Sequence, residues 1–320
     1  MIDEIEAAAR RLRGHAVRTP LLNAPLLDDE FGRRIFVKAE CLQKTGSFKY
    51  RGARNAVALL SDDERASGVI AFSSGNHAQG VALAAREMGA PAVIIMPSDA
   101  PDQKIDNTRK LGAEVVLYDR AAEDRDEIGA QLAKQRGLNL IKPFDDRRVI
   151  AGQGTCGLEI AEQAAEAEIE AGEVLICCGG GGLTSGISIA LAAHAPSLTA
   201  RPVEPEGFDD VARSLAAGAI QVNNRRSGSL CDAIITPSPG EITFPIMAAH
   251  CGAGVVVTED EALRAMATAF TRLKIVLEPG GAVALAAALF HREDDADIIA
   301  VASGGNVDTP VFRMALDRFG

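Results

Sequence analysis

The residues of this chain best suited to chemistry lie in four short segments of small and polar residues, each close to an apolar run. The segments are Gln43–Gly52, Phe72–Gly80, Cys178–Gly186 and Ala302–Asp308. Small residues let backbone N–H groups approach a ligand closely, and the start of a helix adds a field that favours anions. The segments therefore predict ligand binding.

Four consecutive glycines, Gly179, Gly180, Gly181 and Gly182, stand between an apolar run and a helix-like stretch. Their N–H groups can converge on one anion, so the expected guest is a phosphate.

This segment is not a P-loop, because no Lys follows Gly186, and Ser185 occupies the third glycine position of the dinucleotide fingerprint. A dinucleotide site stays open as an alternative, since Glu204 lies about twenty residues further on. A merely tight turn is the remaining alternative.

A second segment, Ser73-Ser74-Gly75-Asn76-His77, places hydroxyls and N–H groups at a predicted helix entrance. Such a group suits a substrate carboxylate. One polar side chain would suffice to cap the helix, so capping is an alternative. A lone histidine such as His77 is more typical of a structural hydrogen bond.

Two single residues complete the candidate chemistry. Lys49 stands at a predicted helix start, where its amine can form a Schiff base with an aldehyde cofactor; a solvated basic loop is the plainer interpretation. Ser303 follows the last apolar run, and its hydroxyl can form a hydrogen bond with a ring nitrogen.

Apolar runs and amphipathic stretches alternate along the chain, which predicts an α/β fold with mainly parallel sheets. The predicted strands are Arg34–Glu40, Val69–Ser73, Ala92–Met96, Val115–Tyr118, Leu138–Ile141, Val174–Cys178, Leu198–Val203, Val255–Thr258 and Ile298–Ala302. The predicted helices include Ala78–Met88, Lys104–Leu111, Ala122–Arg136, Leu183–Ala193, Asp260–Arg272 and Ala282–Phe290. Ligands of open parallel sheets bind beyond the carboxyl ends of strands.

The composition narrows the class of protein. The chain has 320 residues, 47% of them hydrophobic and 24% charged, which is typical of a globular protein of about two domains. A formal charge of −11 and the absence of Trp argue against nucleic acid and anionic membranes as partners. No apolar run is long enough for a membrane span. The six cysteines lack metal-type spacing, so we expect reduced thiols and a cytoplasmic enzyme.

Together the four segments resemble the fold type II pyridoxal-phosphate (PLP) enzymes, in particular the serine/threonine dehydratase and serine racemase family. The resemblance covers about residues 15–312, and Val149–Thr155 and Leu277-Glu278-Pro279 add to it. It implies two open, mainly parallel twisted sheets with helices on both faces. Residues 1–60 and 144–320 would form a large cofactor-binding domain, and residues 61–143 a small domain that carries the carboxylate segment.

The resemblance also implies a role for each site residue. Lys49 would be the Schiff-base lysine and Ser74 the second acid/base, on the opposite face of the substrate. The cofactor would be held by Phe48, Lys49, Asn76, Gly179, Gly180, Gly181, Gly182, Leu183 and Ser303. The substrate carboxylate would be held by Ser73, Ser74, Gly75, Asn76 and His77.

The same resemblance implies a divalent cation and a partner. The metal ligands would be Glu204, Asp210 and the backbone carbonyl of Phe208, whose hard oxygens suit Mg²⁺, Mn²⁺ or Ca²⁺. The expected assembly is a homodimer, and the expected partner is a small amino-acid substrate.

Three places bear on the choice of reaction and substrate. Phe144 stands where the racemase has Asn, which favours elimination. Cys231-Asp232-Ala233 replaces the usual Ala-Asp-Gly and brings a methyl group to the active site. Arg125 matches a racemase arginine near the distal end of the substrate, or is simply part of a solvated helix.

We therefore expect a PLP-dependent ammonia-lyase that converts L-threonine or L-serine to a 2-oxo acid and ammonia by α,β-elimination. The alternative is a serine or aspartate racemase, or a 3-hydroxyaspartate dehydratase, on the same scaffold.

Overall fold

The computed structural model describes residues 1–100, 102–119, 121–291 and 296–320. Its strands are β1 Leu21–Leu22, β2 Ile35–Lys38, β3 Val69–Phe72, β4 Ala92–Pro97, β5 Glu114–Tyr118, β6 Asn139–Leu140, β7 Gly172–Cys177, β8 Leu198–Pro205, β9 Val255–Val257 and β10 Asp297–Val301. Its α-helices are α1 Ile2–Leu12, α2 Pro25–Phe31, α3 Lys49–Ala58, α4 Asp62–Ser67, α5 Asn76–Glu87, α6 Asp102–Lys110, α7 Arg125–Arg136, α8 Arg147–Glu166, α9 Gly182–His194, α10 Asp210–Ala217, α11 Thr243–His250, α12 Glu259–Thr268, α13 Pro279–Phe290 and α14 Thr309–Phe319.

The strands of the described residues form two sheets. The larger sheet has the order β1-β2-β10-β7-β8-β9, with β1 antiparallel to β2 and the other pairs parallel. The smaller sheet, β5-β4-β3-β6, is parallel throughout. Strands β7, β4 and β10 are largely or wholly buried, as expected where helices cover both faces of a parallel sheet. The expectation of an α/β fold with two mainly parallel sheets is confirmed.

The strands of the smaller sheet all lie within residues 61–143, and those of the larger sheet lie outside that range. Helix α3 precedes this range in the chain, yet Ala53, Ala56 and Val57 belong to the hydrophobic cluster of the smaller sheet. Helix α3 therefore contacts the core of the smaller sheet, while the domain division itself stays a prediction.

The predicted strands and helices occur with shifts of a few residues at their ends. Strand β1 has only two residues, too few to produce a pattern. The stretch predicted as one helix over Asp260–Arg272 is α12 followed by a π-helical turn, Ala269–Leu273. Among the described residues, no helix is both long and apolar enough to cross a membrane.

Helix α8 is the main addition to the predicted elements, and its glycines explain how it packs. A Cβ atom on Gly154 would lie 2.9 Å from the Gly186 carbonyl oxygen, and one on Gly186 would lie 2.5 Å from the Gly154 nitrogen. Helices α8 and α9 thus touch through their backbones, which only glycine allows. This contact fixes the glycine segment that begins α9 against the rest of the larger unit, the part of the chain outside residues 61–143 that contains the larger sheet.

Candidate active site

A pocket of about 420 Å³ lies where strand ends of the two sheets face each other. It is lined by all four polar segments of the sequence. The predicted cofactor and substrate residues along its wall are Phe48, Lys49, Ser73, Ser74, Gly75, Asn76, His77, Gly179, Gly180, Gly181, Gly182, Leu183 and Ser303. The fold thus brings together residues that are far apart in the chain.

Lys49 is the first residue of α3. Its amine lies close to Pro143, at the end of residues 61–143, the range that contains the smaller sheet and is called the smaller unit below. The Nζ atom donates a hydrogen bond to the Pro143 carbonyl oxygen at 3.1 Å and lies 5.1 Å from the centre of the Phe48 ring. Desolvation by the surrounding protein lowers the pKa of Lys49 to about 8, against smaller opposing effects from Cys177 and Glu278. A minor fraction of the amine is therefore neutral near physiological pH, far more than for an ordinary lysine, and this neutral form is the one that acts as a nucleophile or base.

The glycine segment joins β7 to α9, and larger residues are disfavoured at two of its positions. Gly181 has φ +90°, a backbone conformation that other residues rarely adopt. A Cβ atom on Gly180 would lie 2.3 Å from the Phe144 ring. No side chain caps α9, so the N–H groups of its first turn are available to an anion.

The hydroxyls of two threonines indicate whether a phosphate fits beside the glycine segment. Thr184 and Thr236 line the same pocket, and their Oγ1 atoms are buried without a hydrogen-bond partner among the described residues. Buried hydroxyls without partners are costly and call for a ligand or water. The donors around the glycine segment therefore fit a bound phosphate group.

Asn76 belongs to a hydrogen-bonded chain that crosses from the smaller unit to the larger one. Its Nδ2 atom donates to Glu278 Oε1 at 2.5 Å, and its Oδ1 atom accepts from Asn306 Nδ2 at 2.7 Å. Asn306 also donates to the Thr45 carbonyl oxygen at 2.7 Å. These bonds fix the Asn76 amide and leave its second N–H for a ligand.

Glu278 and Asn306 are two pocket residues to which the sequence interpretation assigned no role. Glu278 is buried, and burial raises the pKa of its carboxyl to about 7, although the bond from Asn76 opposes this. The segment Leu277-Glu278-Pro279 was a signal for Glu278, but only the fold shows that its carboxyl reaches Asn76.

The side chain of His77 forms a hydrogen bond with the protein backbone. Its Nε2 atom lies 2.8 Å from the Ile141 carbonyl oxygen, and since a carbonyl only accepts, this nitrogen carries the proton. Burial, followed by the charge of Lys49, lowers the pKa of His77 to about 3, so the ring is neutral. The side chain is therefore engaged, and only the backbone N–H of His77 remains for a substrate carboxylate.

The serines before α5 do not cap it. The residue at the N-cap is Gly75, and no side chain caps the helix. The Ser73 hydroxyl accepts a bond from the Gly75 N–H at 3.1 Å, while Ser74 lines the pocket. The capping alternative thus fails, and the N–H groups that begin α5 face no side-chain acceptor of their own.

Charged side chains line the outer part of the pocket. Lys104 on α6 and Arg125 at the start of α7 come from the smaller unit, and Asp232 comes from the larger. Lys104 Nζ lies 3.3 Å from Asp308, which precedes α14. Ala233 also lines the pocket, as the departure in this segment led us to expect.

The predicted metal ligands lie outside this lining. Glu204, in β8, accepts bonds from the N–H groups of Val211 at 2.9 Å and Ala212 at 2.7 Å, in the first turn of α10. Asp210 accepts a bond from Asn223 through one oxygen, and its other oxygen is buried without a hydrogen-bond partner. Burial raises the pKa of Glu204 well above its usual value, and repulsion from Asp210 adds to this.

Two buried carboxylates with an oxygen to spare suit a cation, and Phe208 is buried beside them in the chain. Within the ranges that the structure describes, no cluster of three or more His, Cys, Asp or Glu residues is placed to hold a metal. A cation here would thus depend on backbone oxygen and water to complete its ligands.

Known proteins resemble this chain over nearly its whole length. The family model described as "Pyridoxal-phosphate dependent enzyme" matches residues 12–304. An L-threo-3-hydroxyaspartate ammonia-lyase from Pseudomonas sp is 42% identical over 98% of this chain and 97% of that relative. A serine racemase from Schizosaccharomyces pombe is 37% identical over 99% of this chain and 97% of its own length. The crystal structure of a T.th. threonine deaminase superposes with a TM-score of 0.89 at 44% identity, covering 96% of this chain and 98% of that one.

Proposed function

The chain belongs to the pyridoxal-phosphate-dependent enzymes of fold type II, and we propose that it eliminates water from an L-β-hydroxy-amino acid such as L-threonine or L-serine. Hydrolysis of the elimination product then takes up one water and releases ammonia. The product would be a 2-oxo acid. The observation that carries this proposal is the Lys49 amine, with its pKa lowered to about 8, in a pocket that also contains the glycine segment and Ser303.

The residues present fit the cofactor. Its phosphate would bind the N–H groups of Gly179–Leu183, with Thr184 and Thr236 within the same lining. Phe48 would lie beside the ring, the spare N–H of Asn76 would meet the ring hydroxyl, and Ser303 would meet the ring nitrogen. When bound, PLP supplies an electron-withdrawing system that stabilises negative charge at the substrate Cα.

The chain's own residues would then move the protons. Lys49, partly neutral because of its burial, would take the Cα proton of the substrate. The N–H groups that begin α5 would hold the substrate carboxylate, together with the hydroxyls of Ser73 and Ser74. Ser74 would exchange a proton on the face opposite Lys49, and this is the step that racemisation requires.

An acidic substrate is the second candidate, and a specific observation favours it. Lys104 and Arg125 both line the outer pocket from the smaller unit. Lys104 pairs with Asp308 and shares the pocket with Asp232, so the distal carboxylate of a 3-hydroxyaspartate would replace Asp308 as the partner of Lys104, with Arg125 as the second cation. The name of the Pseudomonas relative, L-threo-3-hydroxyaspartate ammonia-lyase, points to the same substrate class.

We also propose a divalent cation, Mg²⁺, Mn²⁺ or Ca²⁺, at Glu204, Asp210 and the Phe208 carbonyl, supported by the unpartnered Asp210 oxygen. A cation there would stabilise the turn between β8 and α10. The homodimer and the cytoplasmic location stay predictions.

The central experiment measures release of 2-oxo acid from L-serine, L-threonine and both diastereomers of L-3-hydroxyaspartate. Lys49→Ala should abolish release and the borohydride-fixed adduct with PLP, whereas Lys134→Ala, an exposed lysine of α7, should leave both intact. Full activity of the Lys49 variant would refute the proposal.

The same assay separates the two substrate classes. If the acidic candidate is right, Lys104→Ala should raise KM for 3-hydroxyaspartate at least tenfold more than for L-serine. Lys110→Ala, an exposed change on the same helix, is the control. Equal effects on both substrates would exclude recognition of the distal carboxylate by Lys104.

A further inference from the structure

Arg51 is the largest fully buried side chain of the described residues, and the pocket does not use it. It lies in the first turn of α3, two residues after Lys49. Its guanidinium donates to both carboxylate oxygens of Glu40 at 2.8 Å, and to those of Glu159 at 2.7 and 2.8 Å. Further bonds at 3.1 Å reach the Thr155 hydroxyl and the Val17 carbonyl oxygen. A planar guanidinium held on two sides in this way has one allowed position.

A second buried cation completes the cluster. Lys38 Nζ donates to Glu159 at 2.6 Å, to Gln163 at 2.8 Å and to the Thr19 carbonyl oxygen at 2.8 Å. Two cations, Lys38 and Arg51, thus face two carboxylates, Glu40 and Glu159. A buried cluster of balanced charge with its polar atoms bonded is rigid, because each broken bond would leave a buried charge without a partner.

The backbone of the same turn is confined on both sides. A Cβ atom on Gly152 of α8 would lie 2.6 Å from the Arg51 carbonyl oxygen. One on Gly80 of α5 would lie 3.1 Å from the Lys49 carbonyl carbon. The start of α3 therefore lies between α8 of the larger unit and α5 of the smaller one. The N-cap residue Phe48 makes no side-chain bond to this turn, and the Gly52 N–H donates instead to Gln153 Oε1 of α8 at 3.2 Å, so the first turn depends on these contacts.

We propose that Arg51, held by Glu40 and Glu159, is the positioning residue that fixes the first turn of α3 and so directs the Lys49 amine into the pocket. The proposal rests on the role proposed above for Lys49.

The cluster determines where the Lys49 amine lies and does not change the pKa of that amine. Burial, Cys177 and Glu278 are the causes that shift the pKa of Lys49, and the members of the cluster are not among them. Arg51 and Lys49 are two positions apart on the helix, so they point to nearly opposite sides of it. Loosening the cluster should therefore move the amine without changing its affinity for a proton.

The test compares three variants and one control variant in the cofactor-loaded enzyme. Glu159→Gln removes one charge of the cluster, and the double variant Lys38→Met/Glu159→Gln removes one charge of each sign, which keeps the buried charge balanced. Glu166→Gln is the matched control, because Glu166 lies on the same helix, is exposed, and pairs with exposed Arg18. Thr155→Val removes one bond to Arg51 together with the Thr155 bond to the Gly152 carbonyl oxygen, and it serves where the stronger changes prevent folding.

We expect kcat to fall about 10- to 100-fold in Glu159→Gln and in the double variant, since a displacement near 1 Å can have such an effect. KM should change less than twofold, and the pH midpoint of kcat should not move. Hydrogen exchange in a peptide spanning 47–58 should speed up. Thr155→Val should show a smaller change in the same direction, and Glu166→Gln none.

Three results would overturn the proposal: wild-type kcat in folded Glu159→Gln and Thr155→Val, a shifted pH midpoint with unchanged exchange, or a lower melting temperature as the only effect. These results differ from failure of the proposed function, in which Lys49→Ala itself would retain turnover.

Discussion

His77 should make the stability of this protein fall in mild acid. Its ring is buried and donates to the Ile141 carbonyl oxygen, and burial lowers its pKa to about 3 in the folded chain. In the unfolded chain the pKa of a histidine is about 6.5. The folded state therefore favours the neutral ring, and protonation favours unfolding. The stabilising contribution is present above pH 6.5 and is lost as the pH falls towards 3.

The size of the effect follows from the two pKa values. A shift of about 3.5 units corresponds to about 5 kcal/mol at the acid limit, at about 1.4 kcal/mol per unit. At pH 5 only the interval from 6.5 to 5 has been crossed, so the loss is about 2 kcal/mol relative to pH 7. This is a large part of the stability of an ordinary domain.

The assay is chemical denaturation of wild type and His77→Gln at pH 7, 6 and 5. Glutamine keeps an N–H donor for Ile141 but does not titrate in this range. The free energy of unfolding of wild type should fall about 2 kcal/mol further between pH 7 and 5 than that of the variant. His15→Gln, an exposed change, is the control and should behave as wild type. Parallel curves for wild type and His77→Gln would refute the assignment of a buried, neutral imidazole.

Three further predictions concern the pocket. Gly180→Ala should lower the free energy of unfolding by about 1–3 kcal/mol, because its methyl group would overlap the Phe144 ring. Phe144→Ala in the same chain should recover part of this loss. An equal loss with and without Phe144→Ala would contradict the overlap. Ser303→Asp should shift product ratios from elimination towards racemisation or transamination, because a carboxylate favours a protonated ring nitrogen; chromatography showing unchanged ratios would count against this. Ser74→Ala should abolish formation of D-amino acid, measured by chiral chromatography, and continued racemisation at the full rate would exclude Ser74 as the second acid/base.

The sequence predicted the elements of the fold well where the signal is local. Apolar runs such as Ala92–Met96 are buried on both sides, and their length and flanking residues distinguish strands from helices. Helix α8 is less visible in the sequence, because Gly152, Gly154 and Gly157 lower its helical propensity. Those glycines are present because neighbouring backbones approach within contact of α8. That requirement comes from packing and leaves no helical signal.

The residues of the candidate site also fall into two groups, those that a local sequence pattern identifies and those that only the fold places in the site. Lys49, the glycine segment and Ser303 could be identified because each follows a recognisable local pattern at a strand end or helix start. The sequence could not assign Glu278 and Asn306 to the site, because their partner Asn76 is more than 200 positions away in the chain. The sequence shows Arg51 only as one residue of the segment around Lys49, since its partners Glu40 and Glu159 meet it through the fold.

The sequence by itself determined which groups are available: an amine, a run of glycines, hydroxyls and an amide, each at the boundary of a strand or helix. The tertiary structure decided the state of those groups. It lowered the pKa of Lys49, kept His77 neutral and fixed the direction of Asn76. The physical reason is that desolvation and long-range hydrogen bonds depend on everything that surrounds a side chain, whereas a motif specifies only its neighbours along the chain.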